Sequence, residues 1–105
     1  MRTRVLILHH DYPGHLRAQV EEKLAALARF NAQATSMIAR LERQGSEHRV
    51  ELVAQIPHGP TLVADVCQPV FSATLEEALD RMGRLLRRAR QKRADMRRRS
   101  APKIA

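Results

Sequence analysis

The chain is poor in the residues that most often carry chemistry. It has one cysteine, Cys67, no tryptophan, and only Tyr12, Phe30 and Phe71 as aromatics. A lone cysteine excludes an internal disulfide and suits a reducing compartment. Three aromatics in 105 residues leave the core to Leu, Val, Ile, Ala and Met, and leave little for base stacking by aromatic rings. The four glycines, Gly14, Gly45, Gly59 and Gly83, stand apart, so no glycine-rich phosphate loop is present. No apolar run approaches the roughly 18 residues of a membrane span. The four apolar residues at positions 5–8 are too few for a signal-peptide core. A cytoplasmic protein of one modest domain is expected.

Candidate catalytic and metal-binding residues are equally thin. His9, His10, His15, His48 and His58 invite a metal reading. Adjacent histidines on a strand point to opposite faces, however, and no Cys or carboxylate completes a ligand spacing. Cys67 has no evident base beside it in the pattern. Glu76 and Glu77 form a carboxylate pair, which the positive end of a helix explains without catalysis. No enzymatic activity, metal, cofactor or small-molecule substrate is expected.

What the chain does have is positive charge, all of it at one end. Residues 1–80 carry eight Lys or Arg against ten Asp or Glu, a net of −2. Residues 81–105 carry eleven against Asp95 alone, a net of +10, and nine of those eleven cations are arginine. Such asymmetry points to a polyanionic partner and to the part of the chain that meets it. Arginine's planar fork grips phosphate at two points and stacks on bases, which suits folded RNA.

The apolar pattern gives the frame. Residues 4–9 suit a buried strand. Asp11 can cap a following helix, with Pro13 near its start. Leu16, Val20, Leu24 and Leu27 then make one stripe on a helix of about four turns. Residues 35–43, 49–56 and 61–67 alternate as three strands, with Ile38 breaking the first pattern. The turns at Gln44-Gly45-Ser46-Glu47 and Pro57-His58-Gly59-Pro60 join them into an antiparallel meander. After Pro69, Thr74 or Ser72 can cap a second helix, with Glu76 and Glu77 in its first turn. Leu75, Leu79, Met82, Leu86 and Ala89 form its apolar stripe, and Arg81, Arg84, Arg88 and Lys92 cluster nearly opposite. Past Met96 the apolar period is lost. The sequence therefore predicts a domain over residues 1–95 and a basic, disordered tail over 96–105. The element order is β-α-β-β-β-α. Its simplest two-layer solution is an α/β (α+β) fold, a four-stranded sheet with two helices packed on one face, like a double-stranded-RNA-binding domain.

Three stretches with this order resemble the short ribosome hibernation promoting factors and the related ribosome-associated inhibitors. Leu16-Arg17-Ala18-Gln19-Val20-Glu21-Glu22-Lys23-Leu24 is similar to the family's first helix. Ile56-Pro57-His58-Gly59-Pro60-Thr61-Leu62 is similar to its last hairpin. Leu75-Glu76-Glu77-Ala78-Leu79-Asp80-Arg81-Met82, running into Leu85-Leu86-Arg87-Arg88, is similar to its second helix. The likeness spans roughly residues 4–93 and rests on order and spacing. The chain departs from the family pattern at Pro13 and at Pro69-Val70-Phe71-Ser72, as a divergent member.

The resemblance implies a non-enzymatic protein that binds the small ribosomal subunit near the decoding centre and blocks the messenger and transfer RNA sites. It implies RNA contacts by Arg17, Lys23 and Arg29 on the first helix, and by Arg84, Arg87, Arg88, Arg90 and Lys92 on the second. Arg81 and Arg93 join them from the charge pattern. A stress-response regulator of translation, monomeric off the ribosome and not bound to membrane, is the expected reading. The alternative is a general binder of structured RNA or DNA with no preference for ribosomes; backbone and shape would be what either reads.

Overall fold

The four strands lie where the sequence places them, to within two residues at each end. The structure, a computed structural model, describes residues 1–8 and 12–100. Strand β1 is Arg2–Leu8, β2 Ser36–Gln44, β3 Glu47–Gln55 and β4 Leu62–Gln68. They form one sheet in the order β1-β2-β3-β4, with β1 parallel to β2 and the other pairs antiparallel. A parallel pair needs a crossover, and helix α1, Leu16–Ala26, supplies it before a 3-10 turn at Leu27–Phe30. The reversal between β2 and β3 needs a left-handed residue, and Gly45 takes it at φ +61°. In the next reversal His58 takes it, at φ +58°.

Register decides what each sheet face carries. Val5, Ala39, Leu52 and Ala64 lie in one row across all four strands and are buried. Met37, Leu41, Val50, Ala54 and Val66 fill the neighbouring rows of that face. Ile38, which breaks the apparent alternation of β2, lies on the opposite face in a row with Val53 and Val63. Helix α1 packs over β1 and β2, and helix α2, Phe71–Ser100, packs over β3 and β4. Val20, Leu24 and Leu27 from the first helical segment join Leu75, Ala78, Met82 and Leu86 from α2 in a single core cluster. Both helices thus cover one face, and the predicted stripes are the faces they bury.

Two helix boundaries differ from the sequence reading. Helix α2 begins at Phe71, not at Thr74 or Ser72. The Phe71 ring sits 5.0 Å from the Tyr12 ring and 5.7 Å from the His48 ring, so aromatic packing fixes the first turn. Thr74 is fully buried inside that turn, where its hydroxyl donates to the Val70 carbonyl at 2.7 Å. Glu76 and Glu77 fall in the second turn. At the other end the helix runs through Ser100, so Arg97, Arg98 and Arg99 are helical and no break falls at residue 95. Arginine is a good helix former, cations suit the negative end of the dipole, and Asp95 accepts from Gln91 and pairs with Arg98. Residues 101–105, the rest of the expected tail, lie outside the described residues. So do His9, His10 and the candidate cap Asp11; α1 starts after His15 with no side-chain cap.

Candidate nucleic-acid interface

Helix α2 has 30 residues, about 45 Å at 1.5 Å per residue. Its buried stripe ends at Leu86, with half-buried Ala89 one turn on. Past that point the helix outruns the sheet, and nearly all its side chains are exposed. The cations therefore line a rod that is anchored at one end and wet at the other.

The structure sorts the predicted contact residues into three sets. Arg81 pairs with Glu77 at 2.7 Å and Arg84 with Asp80, both one turn back on the same helix. Such exposed pairs are each worth a few tenths of a kcal/mol, so a phosphate can compete for either guanidinium. Arg29 and Arg87 form the second set. Their guanidinium carbons stand 4.6 and 4.2 Å from the centroid of the same Phe30 ring, one from the 3-10 turn and one from α2. Cation–π contact holds both charges beside one another without neutralising them. Arg88, Arg90, Lys92, Arg93 and Lys23 are the third set. Among the described residues they make no ion pair or hydrogen bond. Like charges one turn apart, Arg88 with Lys92, stay crowded because no acid among the described residues pairs with either.

Arg17 is not brought to this group. Its guanidinium donates to the Val5 carbonyl, at the β1 edge. Lys23 lies about 120° round α1 from Arg17, on another flank of the helix. The structure joins Arg29 to the α2 cations directly. Arg29, Phe30, Gly83, Arg84 and Arg87 line a groove of about 220 Å³ between the 3-10 turn and α2. Arg29, Arg90, Arg93 and Arg97 line a second one of about 280 Å³ further along.

Two positioning residues escaped the sequence reading. Phe30 reads as an ordinary core aromatic, yet it is the common platform of two arginines. Asn31 is 3% exposed; its amide donates to the Leu86 carbonyl at 3.2 Å, and its carbonyl oxygen accepts from the Gln33 backbone at 2.9 Å. It ties the 31–33 loop to the point where the basic part of α2 begins. The one available signal was a polar residue directly after an apolar turn; its partner is 55 residues away.

The open face of the sheet behaves differently. Arg49 grips Asp65 with two bonds, of 2.9 and 2.6 Å, and lies 3.6 Å from Glu51, which also pairs with Arg40 at 3.6 Å. The Arg49 hydrogen bonds hold the Asp65 carboxyl below the usual carboxylate range against the opposing effect of burial, and the Arg49 charge adds to the lowering. Arg49 is raised in turn, chiefly by that same hydrogen bond. Cys67 donates to Glu47 at 3.1 Å. That bond, burial and the carboxylate's charge push its thiol up, which disfavours the reactive thiolate.

Among the described residues no group of three His, Cys, Asp or Glu is placed to hold a metal, and no helix is long and apolar enough to cross a membrane.

Solved structures share the architecture. The N-terminal domain of Protein Y from Thermus thermophilus superposes with a TM-score of 0.72 at 22% identity, over 84% of this chain and 98% of that one. A ribosomal subunit interface protein from Coxiella burnetii gives 0.73 at 16% identity, over 87% and 99%. At these identities the likeness establishes the fold. No curated protein matches the chain significantly in sequence. A family model does match, across residues 7–94 and hence most of both layers: the chain belongs to the Sigma 54 modulation protein / S30EA ribosomal protein family.

Proposed function

We propose that the protein is a ribosome-binding translation inhibitor of the hibernation type. It contacts small-subunit ribosomal RNA through its basic helices and fills space that messenger and transfer RNA need. The observation that carries this reading is the one-signed face of α2 on a fold of this family. Arg88, Arg90, Lys92 and Arg93 have no anionic partner among the described residues, and Arg29 and Arg87 are stacked but not neutralised. A polyanion in a fixed shape supplies what the fold leaves out. The family membership and the likeness to a subunit interface protein favour the ribosome over other RNA. The mechanism is steric: the domain occupies space that the RNAs would need. The protein acts in the cytoplasm and is a monomer away from the ribosome.

Cosedimentation with purified small subunits at low salt tests the reading. The protein is expected in the subunit fractions, and released as salt rises, with a slope of about one per phosphate contact. Protein left at the top of the gradient at low salt overturns it. Equal affinity for unrelated RNA and DNA duplexes and for subunits would leave a general nucleic-acid binder instead.

A further inference from the structure

Beside the distal half of α2 lies a surface of the basic region that is also apolar. Ile56 and Pro60 of the β3–β4 reversal face Ala89 and Met96 of the helix across a groove of about 510 Å³. Lys92, Arg93, Arg97 and His58 border it, and no Asp or Glu does. This volume is in the range of small-ligand sites, which pair apolar walls with a few polar groups. We infer that the groove receives a single unpaired nucleotide of the bound RNA, with its base against the apolar walls and its phosphate among the cations.

Three features favour this occupant. The first is continuity. Arg93 borders both this groove and the neighbouring one that holds Arg29 and Arg90, so an RNA strand on the arginine face reaches the groove without leaving positive charge. The second is chemistry. A base splayed out of a helix offers a flat apolar face and a hydrogen-bonding edge, and it is the form in which RNA is read base by base. Guanidinium planes and the polarisable Met96 sulfur suit the face. The exposed Gln33 amide, with a donor and an acceptor, suits the edge. The third is rigidity. Asn31 fixes the wall that carries Gln33 to the Leu86 carbonyl, and the left-handed His58 backbone sets the opposite loop. A paired base has its faces stacked and cannot enter.

The inference rests on the RNA-binding reading above, so the test separates the two. Two RNA hairpins are compared, identical but for one bulged 2-aminopurine. Wild-type protein is expected to bind the bulged hairpin at least tenfold more tightly than the paired one, with a change in 2-aminopurine fluorescence. Met96 is 68% exposed, so Met96→Ala keeps the fold, which circular dichroism verifies. This variant is expected to lose most of the preference and to bind the paired hairpin as wild type does. Ribosome binding with equal affinity for both hairpins overturns the groove and leaves the ribosomal reading standing. Preference for the bulge with no affinity for subunits does the reverse. A preference that survives Met96→Ala and Gln33→Ala together puts the nucleotide elsewhere and overturns the assignment. So does a wild-type dimer by sedimentation that Met96→Ala dissolves, since a second copy would then fill the groove.

Discussion

The open sheet face and the exposed face of α2 are both rich in arginine, and they use it in opposite ways. On the sheet, Arg40 finds Glu51 directly opposite on β3, and Arg49 reaches Asp65 diagonally on β4 and Glu51 on its own strand. On the helix, the acids stop at Asp80 apart from Asp95, and the cations continue. Neighbouring strands put an acid within reach of each of these arginines, directly or on the diagonal. A helix that outruns its sheet has no opposite strand, and among the described residues Arg88, Arg90, Lys92 and Arg93 have no acid partner. The contrast separates charge paired within the fold from charge the fold leaves unpaired, which the proposed function assigns to RNA.

The largest test of that contrast is charge reversal on each face. Arg84→Glu, Arg88→Glu and Lys92→Glu combined are expected to lower affinity for small subunits by at least about 100-fold, and to flatten the salt dependence by about one unit per lost contact. Arg40→Glu with Arg49→Glu is expected to leave affinity within about threefold, since any general effect of net charge is screened at moderate salt. Similar losses from both faces, measured by cosedimentation, would erase the distinction.

Asn31→Ala comes next. It removes a buried hydrogen bond to the Leu86 carbonyl and frees the 31–33 loop, so a stability loss of about 1–2 kcal/mol is expected from urea unfolding. Subunit affinity should fall with it, because Arg29 loses its registry with Arg87. An Asn31→Ala protein that is destabilised but binds normally would show that the charges need no positioning.

Gly83→Ala should move stability alone, and upward. A methyl there would meet the Phe30 ring at 3.4 Å, an ordinary contact, while the helix gains up to about 1 kcal/mol. Calorimetry is expected to show a melting point higher by a few degrees, with affinity unchanged. The smallest effect belongs to Asp65. Its carboxyl is held low by Arg49, so the pair's contribution is full above the ordinary aspartate value near ~4 and fades as pH falls through the lowered one. Asp65→Asn should remove a few tenths of a kcal/mol at neutral pH, discounted for solvent exposure, and much less in acid. A loss that is constant down to pH 2 would remove the ion pair as its cause.

The sheet was legible because alternation is local: each strand announces its inner face. The stripes of both helices were legible for the same reason. The start of α2 was not, because Phe71 is held by Tyr12 and His48, distant in the chain, and these outweigh the polar caps at Ser72 and Thr74. The continuation past Met96 was missed because loss of an apolar period marks loss of packing, and helix formers with favourable end charges need no packing to stay helical. The cations of α2 could be read directly from composition. Their sorting could not, since it depends on Phe30 and Asn31 meeting α2 across more than fifty residues of chain.

The overhang of α2 has one more consequence. Arg88 with Lys92, at its root, and Arg93 with Arg97 stand one turn apart along it. Each like-charged pair opposes the helix by a few tenths of a kcal/mol. The distal turns thus resemble a loaded spring that an anionic surface discharges. Docking would stiffen the rod, and amide exchange in its last three turns would report occupancy from a place where the fold itself contributes almost nothing.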